Sequence, residues 1–436
     1  MATAQYEVNP RLIAALTGQP LSDIPDNPDV SMLPGKYVQL MEKKRRVLIE
    51  GRATNPYDLI CGHCGHRGKY DLGLIVYNIE NVDPTMSADK PNYESALENI
   101  QATGYFRCKH CNGAGKWEFH DKFAIFKIMA MVLSESHREN PRVSAGLIRL
   151  YDGSTPRWTS DAEDQYLSIL MKDDGDAYRW NRLGNLYYQG GRPELAIAAY
   201  EKSLQIDPAQ VESHFSIGIL LFQTKALEEA AYHSRMTLVH ASNYDRMEAI
   251  QLRELLANGL RHLCDMHLHD NSIPLIPSQD EMTLRATQRE VAADQENRTL
   301  RMLDMELDPN EIESFYPLAE MYMHHKKDEI PIQEQAMNKT DRQQGKHRAI
   351  QVQAASEERA KSISMIGLKF GIPVETKVGR PEELGEFTYV LMNSLKLTDA
   401  YAPCPCDSGK KYKFCCGQRV KSKDIEAFIR DFGNSN

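Results

Sequence analysis

Several features are missing from this sequence of 436 residues. It has no long hydrophobic run. The longest apolar passage, Phe123 to Leu133, is broken by Lys127 and falls short of the ~20 residues a spanning helix needs. The opening stretch, Met1 to Leu16, lacks the basic region and long apolar core of a secretory leader, so a cytoplasmic location is expected. Positive charge is in deficit: 52 Lys+Arg stand against 61 Asp+Glu, a net charge of -9. A protein that coats phosphate backbones with its whole surface is thereby disfavoured, and any nucleic-acid contact would need a local basic patch. A phosphate-cradling Gly-rich loop, an HExxH, a GxSxG elbow and a recognisable carboxylate pair are all absent, so an enzyme is not expected. The composition, 42% hydrophobic and 26% charged, excludes a disordered or collagen-like chain. The length suggests about three domains.

The nine cysteines are the informative count, because eight fall into tight sub-clusters and only Cys264 stands alone. In a reducing compartment, close-set cysteines read as metal ligands before disulfides. Cys61-Gly-His-Cys64 and Cys108-Lys-His-Cys111 are two CxxC pairs separated by 43 residues. Two intervening residues let both sulfurs of a pair face one metal while backbone amides turn toward the thiolates. Four such ligands suit tetrahedral zinc. The runs Gly73–Ile79, Gly104–Arg107 and Lys116–Phe119 read as strands, with a polar loop at Asp83–Lys90 and an apolar helix over Lys122–Ser136. Together they predict a zinc-ribbon-like domain with an insertion. His63, His66 and His110 are surplus as ligands and are expected to face solvent or hydrogen-bond. A redox CxxC would need a thioredoxin-like βαβ setting, which is not evident. The stretch Cys108 to Gly115 also resembles one of the four cysteine repeats of the DnaJ co-chaperone zinc domain, but the first pair departs from that pattern.

Residues 160–275 are helical with a 34-residue period. From Ala177, the residues Trp180, Leu183, Gly184, Tyr187, Ala196, Tyr200 and Pro208 occupy positions 4, 7, 8, 11, 20, 24 and 32. Small Gly184 and Ala196 let two helices approach, the larger residues fill the faces around the contact, Gly190-Gly191 turns the chain and Asp207-Pro208 ends the second helix. This pattern resembles the tetratricopeptide repeat (TPR), except that Ser203 replaces the alanine usual at position 27. The next segment keeps Ile217, Gly218 and Ala230 but lacks the aromatic at 214 and the proline at 242. Ala162 and Tyr166 fit a preceding half-repeat. Ala162, Ala196, Ala230 and Cys264 are spaced 34 apart, which reads Cys264 as a small residue at a helix crossing. The resemblance implies a protein or peptide ligand in a concave face.

The C-terminal cluster reads Cys404-Pro-Cys406, then Cys415-Cys416 after an intervening Ser408-Gly409 turn and three lysines (Lys410, Lys411, Lys413). So short a segment is expected to fold around zinc rather than around an apolar core. It closely resembles the SEC-C motif, found at the C-terminus of the SecA preprotein-translocase ATPase and in many other bacterial proteins, with Asp407 standing where glycine is usual. The resemblance implies that Cys404, Cys406, Cys415 and Cys416 bind zinc and that the tail docks on partners, which for the translocase include the SecB chaperone and the ribosome. From 404 to 430 there are seven basic and three acidic residues, a local +4.

Elsewhere, Val38–Ile49 predicts a helix whose Lys43-Lys44-Arg45-Arg46 run is a solvated face. His262, Cys264, Asp265, His267, His269 and Asp270 form a metal-like cluster but read as a polar helix end. Residues 280–330 read as charged helices and 331–361 as a solvated helix or flexible linker, with a short helix at Phe387–Leu397. The fold expected is therefore mainly α: a TPR-like array (160–275) with a small β zinc-ribbon-like domain (56–120) and a C-terminal zinc-folded SEC-C motif with a basic tail (401–436). An N-terminal extension (1–55), a helix and connector (121–159) and a charged helical region and linker (276–400) complete it. Eight cysteines would hold two zinc ions. The function expected is a protein-interaction adaptor linked to the ribosome, chaperones or secretion. The alternatives are a nucleic-acid-binding regulator that uses the ribbon and a thiol- or metal-dependent enzyme.

Overall fold

In this computed structural model the described residues are 8–52, 54–80, 93–133, 142–284, 307–331, 350–370, 372, 374–382, 384, 385, 387, 388, 391, 404, 410–414 and 429. The chain divides into two compact units, residues 1–296 and 297–436. The architecture is mainly helical, with small sheets in the N-terminal region.

The first unit begins with α1 (Pro10–Thr17), capped by Asn9, whose side chain accepts from the Arg11 amide, and ended by the left-handed Gly18. No helix is expected here from the pattern alone, because eight residues carry too few turns of periodicity. Helix α2 (Val38–Leu48) follows and buries Val38, Met41 and Leu48. Its basic run is largely solvated, but Arg45 turns inward to the buried carboxylate of Glu194 at 3.5 Å.

Two small sheets form next. Strands β1 (Pro56–Cys61) and β2 (Arg67–Asp71) make an antiparallel hairpin, and β5 (Trp117–Phe119) pairs with the other edge of β1. Strands β3 (Ile75–Tyr77), β4 (Ile100–Ala102) and β6 (Val143–Ala145) form the second sheet, antiparallel for β3–β4 and parallel for β3–β6. Helices α3 (Tyr93–Glu98) and α4 (Phe123–Leu133) border them. Tyr70, Phe106, Trp117 and Trp158 interlock in their shared core. The run Gly104–Arg107 is not a strand. Gly104 donates its amide to Leu72 and Tyr105 donates to Gly190 of the helical array, so these amides do not enter a ladder. The predicted loop Asp83–Lys90 lies outside the described residues.

The array comprises α5 (Thr159–Leu170), α6 (Ala177–Gln189), α7 (Pro193–Ile206), α8 (Val211–Gln223), α9 (Leu227–His240) and α10 (Ala249–His269), followed by α11 (Gln279–Thr283). The repeat residues Trp180, Leu183, Tyr187, Ala196 and Tyr200 are all buried. A Cβ on Gly184 would come within 2.5 Å of two carbons at the edge of the Tyr200 ring, so glycine is what allows α6 and α7 to pack this closely. The departure at Ser203 has a partner: its hydroxyl donates to the Ala177 carbonyl at 2.7 Å and accepts from Ser213, which itself accepts from Asn181. A buried polar chain thus replaces an alanine contact. Ala162, Ala196, Ala230 and Cys264 are all buried. The missing aromatic at 214 is supplied by an imidazole: the ring of His214 is buried and stacks on His240.

In the second unit, α12 (Tyr316–Met323) follows a short 3-10 segment, Ile312–Phe315. The stretch 331–361, expected to be a solvated helix or a flexible linker, contains a strand followed by the start of a helix. Residues β7 (Ile350–Ala354), α13 (Glu357–Phe370) and β8 (Val374–Val378) form a βαβ unit with parallel strands. The alternation of Ile350, Val352 and Ala354, all buried, marks β7, but it sits behind a long Gln- and Lys-rich stretch that obscures it.

Candidate metal centre and repeat face

Cys61 ends β1 and Cys64 lies in the turn to β2, whereas Cys108 and Cys111 lie in the turn that leads toward β5. The two turns share one hydrogen-bond pattern. The Cys61 amide donates to His66 and Gly65 donates back to Cys61; the Cys108 amide donates to Gly113 and Asn112 donates back to Cys108. In each turn the fourth residue after the first cysteine is left-handed, Gly65 at φ 73° and Asn112 at φ 54°. Glycine takes that conformation readily and asparagine is among the few side chains that tolerate it. Asn112 is also held in place, since its amide donates to the carbonyls of Val8 and Asp26 and its own carbonyls accept from Arg107.

The turns bring all four sulfurs within 4.8 Å of one another. Sγ of Cys61 lies 3.8 Å from that of Cys111, and Sγ of Cys64 lies 3.6 Å from that of Cys108. A tetrahedron with Zn–S bonds of about 2.3 Å has edges of about 3.8 Å, so these residues fit zinc. The thiols differ in acidity. Burial pushes Cys108 up, but hydrogen bonds from the amides of Cys111 and His110, together with those to the Cys64 and Cys111 thiols, bring it down to about 7. Burial pushes Cys111 up to about 12 and raises Cys61 as well. A cation in the cluster would favour the thiolate at all of them.

The neighbouring histidines are not in the cluster. His63 Nε2 bonds the Ala114 carbonyl at 2.8 Å, and His66 stacks on His110. Among the described residues, the four cysteines are the one group of three or more metal-capable side chains gathered this closely. His262 stacks on Phe222 and His267 bonds the Ile273 carbonyl, so the metal-like cluster on α10 does not assemble.

The residues that lock the metal turns to the array carry no sequence signal. Glu163 of α5 is fully buried. It accepts from Arg107 at 2.8 Å, Tyr105 at 2.9 Å, Tyr187 at 2.7 Å and Asn9 at 3.0 Å. One carboxylate therefore joins the N-terminal segment, the cysteine turn and the first full repeat. Burial and this carboxylate push the hydroxyls of Tyr105 and Tyr187 well up, keeping both as donors. Nothing in the local pattern around Glu163 marks it.

On α6 and α8, Trp180, Leu183, Tyr187, His214, Ile217 and Leu221 are buried, while Tyr178, Arg182, Asn185 and Tyr188, with Phe215 and Ile219, are half-buried. The half-buried residues follow the helical period on the opposite faces. Arg182 lies over the Tyr178 ring and pairs with Glu212.

At the C-terminus, Cys404 is buried and its amide donates to Lys410. Cys404, Tyr412 and Ile429 share a core with Ile350, Ile363 and Phe387. The expectation that this short segment has no apolar core of its own to fold on is therefore modified: it shares the core of the βαβ unit. Cys406, Cys415 and Cys416 lie outside the described residues.

A family model described as a TPR repeat matches residues 184–225, and one described as a SEC-C motif matches residues 402–418. A peroxisomal targeting signal receptor of Candida albicans is 34% identical over 70 residues, 16% of this chain and 12% of the relative. Its counterpart in Candida glabrata is 31% identical over 70 residues, with the same coverage. The chain thus spans about an eighth of the length of the curated relatives it matches. No solved structure matches. No described helix is long and apolar enough to cross a membrane. The chain carries a TPR repeat, a SEC-C motif and an N-terminal four-cysteine cluster compatible with a zinc-ribbon-like domain.

Proposed function

We propose that this protein is a non-enzymatic, zinc-dependent adaptor. The observation that carries the reading is the half-buried aromatic and polar stripe on α6 and α8, helices that the TPR match over residues 184–225 takes in from Gly184 onward. A face of this kind offers rigid rings and adaptable polar groups to a peptide. The likeness to receptors named for a targeting signal supports a peptide as partner. One zinc would be held by Cys61, Cys64, Cys108 and Cys111, stiffening the turn that packs against α5. A second would be held by Cys404, Cys406, Cys415 and Cys416, as the SEC-C resemblance implies. The local +4 of residues 404–430 in a chain of net charge -9 supports docking of the tail on an acidic surface, with the ribosome or a secretion chaperone as candidates.

The test is affinity capture of the full-length chain from its native host with ribosome fractionation, comparing wild type with two variants. Tyr178→Ala with Ile219→Ala should lose the peptide partner. Lys421→Glu with Lys423→Glu should lose the tail's partner. Retention of every partner by either variant sinks the corresponding role. Charge reversal is preferable to truncating the tail, because Cys404, Tyr412 and Ile429 belong to the core of the second unit.

A further inference from the structure

A cleft of about 810 Å³ opens in the first unit between the end of α2, the first sheet and the turn after α6. Its volume lies in the range of ligand sites, ~300–1,000 Å³. Its lining is strongly cationic for so acidic a chain. Arg45, Arg52, Lys69 and Lys109 line it, and Asp71 is the one carboxylate among the lining residues. Asp71 is committed to the loop it sits in, where it accepts from the amides of Asn55 and Gly73.

The cations are held in place by the fold. Arg52 donates to the Gln189 carbonyl at 2.8 Å and lies over the Tyr188 ring. Lys109 donates to the Lys69 carbonyl at 3.0 Å and lies over Tyr70. They form two pairs, one from the end of α2 and the loop after it, the other from β2 and the cysteine turn. The aromatic rings of the lining are poor platforms for a nucleobase, since Tyr70, Tyr105 and Phe106 are each at most 5% exposed. A compact phosphate would call for donors converging on one point, but Arg45 is turned to Glu194 and Arg52 to Gln189. With Arg45 committed to Glu194, the cations left to a ligand are Arg52 from the loop after α2 and Lys69 and Lys109 from β2 and the cysteine turn. Beside the aliphatic walls of Ile49, Pro56 and Leu74, they suit carboxylates spaced along an extended chain.

The cleft also meets the repeat face. Tyr188, under Arg52, is the last member of the stripe Tyr178, Arg182, Asn185 and Tyr188. We propose that the cleft seats an acidic segment of the peptide partner, continuous with the stretch that lies on α6. The proposal rests on the adaptor reading for its partner, but not for its chemistry.

The test is fluorescence anisotropy with the zinc-loaded full-length chain and two labelled hexapeptides, Glu-Leu-Glu-Glu-Leu-Glu and the same sequence with Gln for Glu. The acidic probe should bind at least roughly tenfold more tightly than the neutral one, and added salt should weaken it. Arg52→Glu with Lys69→Glu should abolish the preference. Arg52→Lys with Lys69→Arg should keep it. Equal binding of the two probes, or no binding by either, overturns the proposal. So does an unchanged preference in the charge-reversed protein, or displacement of the acidic probe by an equal concentration of pyrophosphate. These outcomes leave the adaptor reading to be judged by the capture experiment.

Discussion

Gly184 and Glu163 show how unequally single residues declare themselves. Gly184 stands at a fixed place in a 34-residue period, and the ring of Tyr200 fills the space a side chain would need. Gly184→Ala should therefore destabilise the protein by about 1–3 kcal/mol, read as a shift in the urea midpoint at unchanged slope. Glu163 carries no local signature, yet it binds four side chains. Glu163→Ala would strand the buried Arg107 cation and the hydroxyls of Tyr105 and Tyr187. The expected cost is about 3–5 kcal/mol, with the far-UV spectrum of the array retained if the protein still folds.

A buried histidine pair gives the residue scale a pH dependence. His214 Nε2 lies 3.0 Å from the Pro208 carbonyl, which can only accept, so that nitrogen carries the proton. Its Nδ1 then accepts from Nδ1 of His233 at 3.0 Å. Burial lowers His214 to about 4 and His233 to about 3, each from an ordinary 6.5. Below 6.5 the unfolded chain binds protons that the folded pair refuses, so stability falls as the pH drops from about 6.5 toward 4. Glu201, raised to about 7 by burial, acts in the opposite sense, because its contribution is lost as the pH rises. Thermal unfolding of wild type and His233→Phe between pH 7 and 4 isolates the imidazoles, and the variant should lose less stability over that interval.

Among the elements, the paired cysteine turns and the repeat helices were legible because each is a short-range pattern. A CxxC places its sulfurs through one turn, and the TPR spacing places small residues where two consecutive helices cross. Val38–Leu48 and the apolar helix from Phe123 were equally readable from their periodicity. The βαβ unit of the second half was not, since β7 is brief and its parallel pairing with β8 depends on the helix between them. The strand expected at Gly104–Arg107 failed for a related reason: its amides bond to Leu72 and Gly190, at other places in the chain. At this scale metal removal is the relevant test. Cys61→Ser or Cys108→Ser should lower the zinc content by one ion per chain and loosen the turns that pack on α5. Native mass spectrometry and hydrogen exchange at residues 105–119 measure both effects; zinc content unchanged in both variants would refute the assignment.

For the whole molecule, the cysteine centre and the helical array are parts of one compact unit rather than beads on a string. Asn9, Arg107 and Tyr105 reach Glu163 of α5, and Arg45 of α2 reaches Glu194 of α7. Loss of the metal should therefore be felt in the repeats. Chelation is expected to lower the melting temperature of the array's helical signal, and a melting curve identical with and without chelator would show the two regions to be uncoupled.

The repeat register, the grouping of cysteines and the mainly helical class are legible in the order of residues, because they depend on contacts between residues close in the chain or at a fixed period. That Glu163 is the hub of a buried network, that Cys404 packs in the core of a βαβ unit and that four cations line one cleft emerge only from the folded chain. Those facts depend on burial and on partners far apart in the chain, as Glu163 is from Asn9 and Arg107. Neither composition nor periodicity encodes which distant polar groups will be withdrawn from water together.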